Sequence, residues 1–149
     1  MKIITKNKKA FHDYDIQQRL EAGIALKGDE VKSIRAGNIT LSGSYATLHK
    51  GELFLINAHI GVYSHAFEKK EEATLRSRKL LLHRREIDRL IGEIARKGIT
   101  IIPLSLYFSD KGSIKVELGI AKHKKAHERK EELRERDIKR QTARELKNY

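Results

Sequence analysis

The sequence predicts a mainly β fold with some α structure, an α+β domain over residues 1–121 followed by a basic tail over residues 122–149. Three observations carry this prediction. Short apolar segments of strand length recur between residues 19 and 120. Turn residues, chiefly Gly and Asp, separate them. All ten glycines and the single proline lie before residue 122. Many short strands joined by tight turns indicate a small barrel or a sandwich.

Each predicted strand is bounded by a turn or by a charged segment. The first covers 19–27 and ends at Gly28, and a short apolar run of buried-strand length covers 79–83. Two hairpins are predicted, the first joining 44–49 to 52–60 and the second joining 99–108 to 113–120. Their turns are His49-Lys50-Gly51-Glu52 and Ser109-Asp110-Lys111-Gly112.

Three helices interrupt the strands. The segment 29–37 begins with Asp29 as a capping acid and ends at Gly37, with Val31, Ile34 and Ala36 predicted to face the core. A shorter helix is predicted near residues 12–18. The segment 86–97 is the clearest amphipathic helix, because its apolar residues recur at helical spacing and Gly98 follows it. That stripe, expected to pack on the core, consists of Ile87, Leu90, Ile91, Ile94 and Ala95.

The composition favours a polyanionic partner. Lys and Arg number 32 against 20 acids, a formal net charge of +12. Such a field attracts nucleic acid, an anionic membrane or an acidic protein. No apolar stretch is long enough to cross a bilayer, and residues 1–9 lack the apolar region of a signal peptide. With no cysteine, thiolate metal sites and disulfides are excluded. We therefore expect a cytoplasmic protein that binds nucleic acid and no membrane.

The tail holds more than its share of this charge. Residues 122–149 carry eleven Lys and Arg against six acids, a net of +5. They are strong helix formers, yet Leu133, Ile138, Ala143 and Leu146 form no continuous apolar stripe. A charged segment without an apolar face gains little from packing. The tail is therefore expected to be disordered when free and helical when a charged partner orders it.

No motif indicates catalysis, a cofactor or a metal. The chain lacks the glycine-rich phosphate loops and the nucleophile elbow. His123 and His127 are spaced i,i+4, but no third ligand is evident, so we do not expect a metal site there. Asp29 and Glu30 are adjacent and are explained as a cap and a first-turn acid. The sequence therefore predicts a protein that is not an enzyme.

Basic residues alternate with aromatic ones in the stretch Lys6-Asn7-Lys8-Lys9-Ala10-Phe11-His12-Asp13-Tyr14. Lysines can contact phosphates and the rings can stack on bases, although Phe11 and Tyr14 could equally close the barrel. Two further basic clusters are Arg76-Ser77-Arg78-Lys79 and Lys122-His123-Lys124-Lys125. Together they predict an electrostatic footprint without base specificity.

These motifs, taken in order, resemble the small protein B family, also called the SsrA-binding proteins. The resemblance runs through essentially the whole chain. Each segment alone is weak evidence for the family, whereas the ordered set is specific to it. The matching segments are 7–10, 12–14, 21–24, 28–37, 44–45, 78–82, 103–108 and 119–125.

The resemblance implies an oligonucleotide-binding-type antiparallel barrel with about three helices. It also implies a function. Members of the family bind the tRNA-like domain of transfer-messenger RNA and deliver it to ribosomes stalled without a codon in the A site. Their tail becomes helical in the empty mRNA channel beyond the decoding centre. We therefore expect a monomer whose partners are transfer-messenger RNA and the ribosome.

The resemblance also implies site residues. Asn7, Glu21 and Leu81 resemble positions implicated in binding transfer-messenger RNA, and His12 resembles a position that meets decoding-centre RNA. Glu21 could instead be an ordinary surface acid, and Leu81 could belong to the core. Strand alternation would place Leu81 on the face opposite Leu80 and Leu82. The remaining expected RNA contacts are Lys8, Tyr14, Arg78, Lys124 and Lys125, and the expected ribosome-engaging tail residues are Glu128, Arg129, Lys130 and Ile138.

One departure from the family bears on the joint between body and tail. His123 stands where the family usually has glycine, so the joint is expected to be stiffer. Three other functions remain as alternatives: a structural ribosomal protein, a general RNA chaperone, and a Mg²⁺-dependent nuclease using Glu21, Asp29 and Glu30. The nuclease is disfavoured, because these carboxylates do not pair at helical or strand spacing.

Overall fold

The computed structural model describes residues 2–63, 71–96, 98–124 and Arg140. Nine strands and three α-helices lie within these residues, and a 3₁₀ helix spans Glu71–Leu75. In chain order the elements are β1 Lys2–Lys6, α1 Lys8–Asp13, β2 Tyr14–Ile24, α2 Gly28–Arg35, β3 Ile39–Thr40, β4 Tyr45–His49, β5 Glu52–Ile56, β6 His59–Ile60, β7 Arg78–Leu81, α3 Arg84–Ile94, β8 Ile99–Phe108 and β9 Ile114–His123.

The main sheet closes into a barrel. Its strands follow the order β8-β4-β5-β7-β2-β9, and β9 pairs with β8 to complete the ring. Every pairing is antiparallel. Strand β8 is long enough to pair with β4 near Ile101 and with β1 at its other end. The expected antiparallel barrel with three helices is therefore confirmed, and closure leaves few strand edges exposed.

Two apolar clusters lie on opposite sides of the β8–β9 pair. Alternate residues such as Ile101, Leu106 and Val116 face the barrel interior, where they are fully buried. Each buried aliphatic side chain of this size stabilises the fold by about 1.5–3 kcal/mol. The intervening residues Ile102 and Leu104 face outward. There they form a second, smaller cluster with Ala121 and with Ala10 of α1.

Both predicted hairpins are present. The turn between β4 and β5 places Lys50 at φ 52° and Gly51 at φ 76°. Positive φ at both central positions is the geometry of a type I′ turn, whose twist matches that of the paired strands. The turn between β8 and β9 is closed by the backbone N–H of Ser109, which donates to the carbonyl of Ser113 at 2.8 Å.

The predicted helix near 12–18 is wrong. Helix α1 ends at Asp13, and β2 runs without interruption from Tyr14 to Ile24. Exposed and half-buried residues alternate along the first half of β2, which is the period of a strand. Pairing with β9 from Tyr14 to Gly23, with one irregularity between Ile16 and Gln18, satisfies the backbone and overrides the local helical preference.

The other two helices differ from prediction in detail. Helix α2 begins at Gly28, and its capping acid is Glu30 rather than Asp29, since Glu30 Oε1 accepts from the backbone N–H of Lys27 at 2.8 Å. Ile34 is buried as predicted, Val31 is half-buried, and Ala36 lies beyond the helix and is exposed. Helix α3 buries Ile87 and Leu90, leaving Ile91 and Ala95 exposed. Helix α3 therefore carries more apolar residues than it buries.

Candidate nucleic-acid interface

Helix α1 divides the outer surface of the β8–β9–β2 strands into two regions. Ala10 of α1 packs on Leu104 and Ala121, so the helix covers the end of these strands nearest Tyr14. The opposite end leaves outward residues such as Glu21 and Leu81 exposed. We call this uncovered region the open face, and define it by the outward residues of four adjacent strands. They are Arg19, Glu21 and Gly23 of β2, Leu81 of β7, Lys115 and Glu117 of β9, and Tyr107 of β8.

Leu81 lies at the β7 edge of the open face, at the end of its strand. It is 49% exposed, whereas its neighbour Leu80 is 1% exposed and belongs to the barrel core. Strand alternation separates the two leucines as the sequence predicts. Leu81 pairs with Gly23 of β2, and a Cβ atom on Gly23 would lie only 3.2 Å from the Leu81 Cβ. The missing side chain at Gly23 leaves a shallow concavity on each side of Leu81.

The structure brings Glu21 and Leu81 together. Both line one of these concavities, with Gly23, Lys115 and His83 between and beside them. An exposed apolar side chain beside a carboxylate and a lysine offers contacts to a base face, a hydrogen-bond donor and a phosphate. The sequence separates Glu21 from Leu81 by sixty residues, so only the β2–β7 pairing makes them one surface.

Two carboxylates face each other on the open face, and each has its own partner. Glu21 and Glu117 are opposite one another in the β2–β9 register, where like charges are unfavourable. Arg19 Nη1 lies 3.1 Å from Glu117 Oε1, and the Tyr107 hydroxyl donates a hydrogen bond to Glu21 Oε2. Glu117 thus has a cationic partner, whereas the partner of Glu21 is a hydroxyl, and Glu21 remains exposed.

Arg78 does not reach the surface, which corrects the expectation that it contacts RNA. Its side chain is fully buried and its guanidinium is surrounded by acceptors. Nε donates to Glu30 Oε2 at 2.6 Å, and Nη1 donates to the Ala58 carbonyl at 2.7 Å. Nη2 donates to the carbonyls of Ala73 at 3.2 Å and Thr74 at 3.1 Å. Arg78 therefore joins α2, the β5–β6 connection and the 3₁₀ helix to β7.

Glu30 completes this buried cluster with Arg76, whose Nη2 also donates to it. Burial alone would raise the pKa of Glu30. Hydrogen bonds from Arg76, from the backbone N–H of Lys27 and from Arg78 outweigh burial and hold the pKa of Glu30 below its usual value. Two arginines on one carboxylate leave a positive charge at this site, and Arg76 is the one with access to solvent.

Asn7 is also buried, at 5% exposure, which corrects the expectation of a direct RNA contact. Its side chain caps α1, because Oδ1 accepts from the backbone N–H of Ala10 at 3.3 Å. Its amide donates to the carbonyls of Pro103 at 2.9 Å and Leu41 at 3.4 Å. Asn7 therefore attaches α1 to the barrel, and it positions Lys8 and His12, which α1 exposes to different degrees.

The remaining expected contacts gather at the α1 end of the β2–β9 pair. The rings of Tyr14 and His123 meet edge to face with centroids 5.0 Å apart. The backbone N–H of Lys124 donates to the Asp13 carbonyl at 2.9 Å, and Asp13 also holds the ring of His12. His123 is the last residue of β9, so the ordered strand extends two residues past the expected boundary at 121. Lys125, Glu128, Arg129, Lys130 and Ile138 lie outside the described residues.

Sequence reasoning did not select Tyr107 or Lys115 for the site. Tyr107 lies within the matching segment 103–108, and Lys115 lies in an ordinary strand pattern. Their alternation along β8 and β9 could have placed both on the outer face, but only the register shows them beside Glu21 and Gly23. Within the described residues there is no cluster of three or more potential metal ligands and no helix long and apolar enough to cross a membrane.

A closed barrel with an exposed leucine, a positioned carboxylate and a net charge of +12 defines a small basic protein of the RNA-binding class. The family model described as SmpB protein matches residues 4–148. The chain belongs to this family.

Individual relatives agree with the family match. An SsrA-binding protein of Acetivibrio thermocellus is 49% identical over 148 residues, covering 98% of this chain and 94% of the relative. One of Rickettsia conorii is 50% identical over 143 residues, covering 96% and 93%. A solved chain from the structure described as "tmRNA-SmpB: a journey to the center of the bacterial ribosome" is 48% identical and superposes with a TM-score of 0.67, covering 82% of this chain and 85% of that one.

Proposed function

We propose that this protein binds the tRNA-like domain of transfer-messenger RNA and delivers it to stalled ribosomes for trans-translation. Membership of the SmpB family supports this function, as does similarity to a chain from the structure described as tmRNA-SmpB on its journey to the centre of the bacterial ribosome. The observation that carries the proposal is the open face, where Glu21 and Leu81 lie side by side although they are distant in the sequence. In this proposal the protein acts in the cytoplasm as an RNA-binding adaptor and not as an enzyme.

Two separated surfaces suit an adaptor. Tyr14 and Glu21 lie seven residues apart on β2, on the order of 20 Å for an extended strand. We assign the open face to the tRNA-like domain. We assign the α1 end, with Lys8, His12, Tyr14 and Lys124, to ribosomal RNA near the decoding centre. One rigid strand pair then fixes the distance between the two RNA partners.

The tail has a separate role in this proposal. It enters the mRNA channel only when mRNA is absent, so that stalled ribosomes are selected by steric access and not by sequence. Its net charge of +5 and its lack of Gly and Pro suit a helix that forms between ribosomal phosphates. Lys125, Glu128, Arg129, Lys130 and Ile138 are the residues that we assign to this contact.

A binding titration tests the proposal. The purified protein is titrated with the tRNA-like fragment of transfer-messenger RNA and with an unrelated hairpin of equal length, each across a salt series. A preference for the fragment that persists at high salt is the expected result. Equal affinities that weaken together, with a log–log slope of about −0.7 to −0.9 per phosphate contact, would indicate general electrostatics and favour a structural ribosomal protein.

A further inference from the structure

The hydroxyl of Tyr107 reaches across a whole strand to Glu21. Tyr107 belongs to β8 and Glu21 to β2, and β9 lies between them. Two strand spacings amount to roughly 10 Å, so the ring must lie flat over β9 for its hydroxyl to arrive at the carboxylate. Tyr107 is only 6% exposed, whereas Glu21 is exposed. The buried residue thus fixes the orientation of the exposed one.

The surrounding charges keep this hydrogen bond intact. Burial raises the pKa of the Tyr107 phenol, and the hydrogen bond to Glu21 and the charges of Glu21 and Glu117 raise it further. The phenol therefore stays protonated, and it remains a donor throughout the physiological range. Arg19 is occupied by Glu117 and by the ring of Phe11, 5.5 Å from its guanidinium carbon. Among the described residues, Tyr107 alone hydrogen-bonds the carboxylate of Glu21.

We propose that Tyr107 is the positioning residue for Glu21 in RNA recognition. It holds Oε2, and Oε1 of the same carboxylate accepts a hydrogen bond from the RNA. An acid on a surface that binds a polyanion is costly unless a donor on the ligand compensates it. Two RNA groups supply such a donor, the exocyclic amino group of a base and the 2′-hydroxyl of a ribose. The inference rests on the proposed function of the open face.

The proposal predicts that Tyr107 affects RNA binding only through Glu21. We would measure the affinity of the full-length protein for the tRNA-like fragment in a double-mutant cycle of Tyr107→Phe and Glu21→Ala. Tyr107→Phe keeps the ring that covers β9 and removes only the hydroxyl. It is expected to weaken binding by roughly three- to tenfold, the net effect of one ordinary hydrogen bond, because the carboxylate stays and loses only its orientation. The double variant is expected to bind no more weakly than Glu21→Ala.

A matched control is Tyr45→Phe, because Tyr45 is a 41% exposed tyrosine at the start of β4, outside the open face. It should bind the fragment as the wild type does. The thermal midpoint of Tyr107→Phe is measured alongside, so that a loss of fold is seen directly. A purely structural Tyr107 would give losses that add to those of Glu21→Ala, and additive losses would overturn the proposal. So would unchanged binding by Tyr107→Phe.

A fragment with 2′-deoxy substitutions at its unpaired nucleotides separates the two donors. If the penalty of Glu21→Ala disappears with this fragment, Glu21 accepts from a 2′-hydroxyl, and if it persists, Glu21 accepts from a base amino group. Failure of the proposed function looks different, since the wild type would then bind the fragment and the unrelated hairpin equally. The cycle repeated on the hairpin would still decide whether Tyr107 acts through Glu21.

Discussion

The guanidinium of Arg78 is buried against Glu30, with Nε 2.6 Å from Oε2, and its other donors reach three backbone carbonyls. This pair links β7, which carries Leu81 to the open face, with α2 and the 3₁₀ helix. Arg78 belongs to a basic cluster that the sequence predicts to contact RNA. In the structure Arg78 is buried, and its hydrogen bonds hold β7, and with it Leu81 of the open face, in position.

Removing this buried partner should strongly destabilise the fold. Arg78→Met would leave Glu30 without its innermost hydrogen bond, and breaking a buried ion pair costs about 3–5 kcal/mol. Urea denaturation measures the loss. The control is Arg84→Met, since Arg84 is 71% exposed and pairs with Asp88 at i,i+4, a contact worth about 0.5 kcal/mol or less. Equal effects of the two substitutions would contradict the structural role of Arg78.

Acid should remove the contribution of Glu30 to the unfolding free energy. Its pKa is lowered in the folded protein, so its contribution to stability is present above the ordinary value of 4.5 and is lost as pH falls through the folded-state pKa. The difference in unfolding free energy between the wild type and Glu30→Gln should therefore be largest near neutral pH and shrink towards pH 3. Denaturation at several pH values tests this. The control is Glu52→Gln, because the exposed pair of Glu52 with Lys79 contributes about 1 kcal/mol or less.

The adjacent leucines of β7 should separate RNA binding from stability. Leu81→Ala removes an exposed contact and should weaken binding to the tRNA-like fragment while changing the unfolding free energy by less than about 1 kcal/mol. Leu80→Ala opens a cavity in the core and should cost about 2–5 kcal/mol. Denaturation and RNA titration of both variants check this. A Leu81→Ala protein that binds RNA normally would remove Leu81 from the interface.

Substitutions of Asn7 should weaken the contact of the α1 end with ribosomal RNA, because they displace α1 from the barrel. Asn7→Ala removes the cap and both amide hydrogen bonds, at a cost of about 1–2 kcal/mol. Asn7→Asp keeps the acceptor for the Ala10 N–H and loses the donors to Pro103 and Leu41, so it should rank between Ala and the wild type in thermal midpoint. Weak binding by an Asn7→Ala protein of undiminished stability would instead show that Asn7 contacts RNA directly.

The sequence by itself determined the elements that depend on local pattern. The Lys50-Gly51 turn, the strand alternation that exposes Leu81 and the presence of the amphipathic helix α3 follow from residues close together in the chain, although α3 spans Arg84–Ile94 and ends before the predicted residue 97. The excess of positive charge is a property of composition, and it predicts a polyanionic partner whatever the fold. These features could be predicted because their causes act within a few residues.

Only the tertiary structure decided which residues distant in the sequence are in contact. Arg78 and Asn7 are polar residues in motifs that predict RNA contacts. Segments distant in the sequence bury both side chains, which therefore hold β7 and α1 in place. The local sequence of the first half of β2 predicts a helix, because its strand partner, β9, lies about a hundred residues further along the chain. Closure of the barrel brings Glu21, Leu81 and Tyr107 together from three strands. Long-range pairing has no local signal, since a register is chosen by the summed burial of both strands and not by either sequence alone.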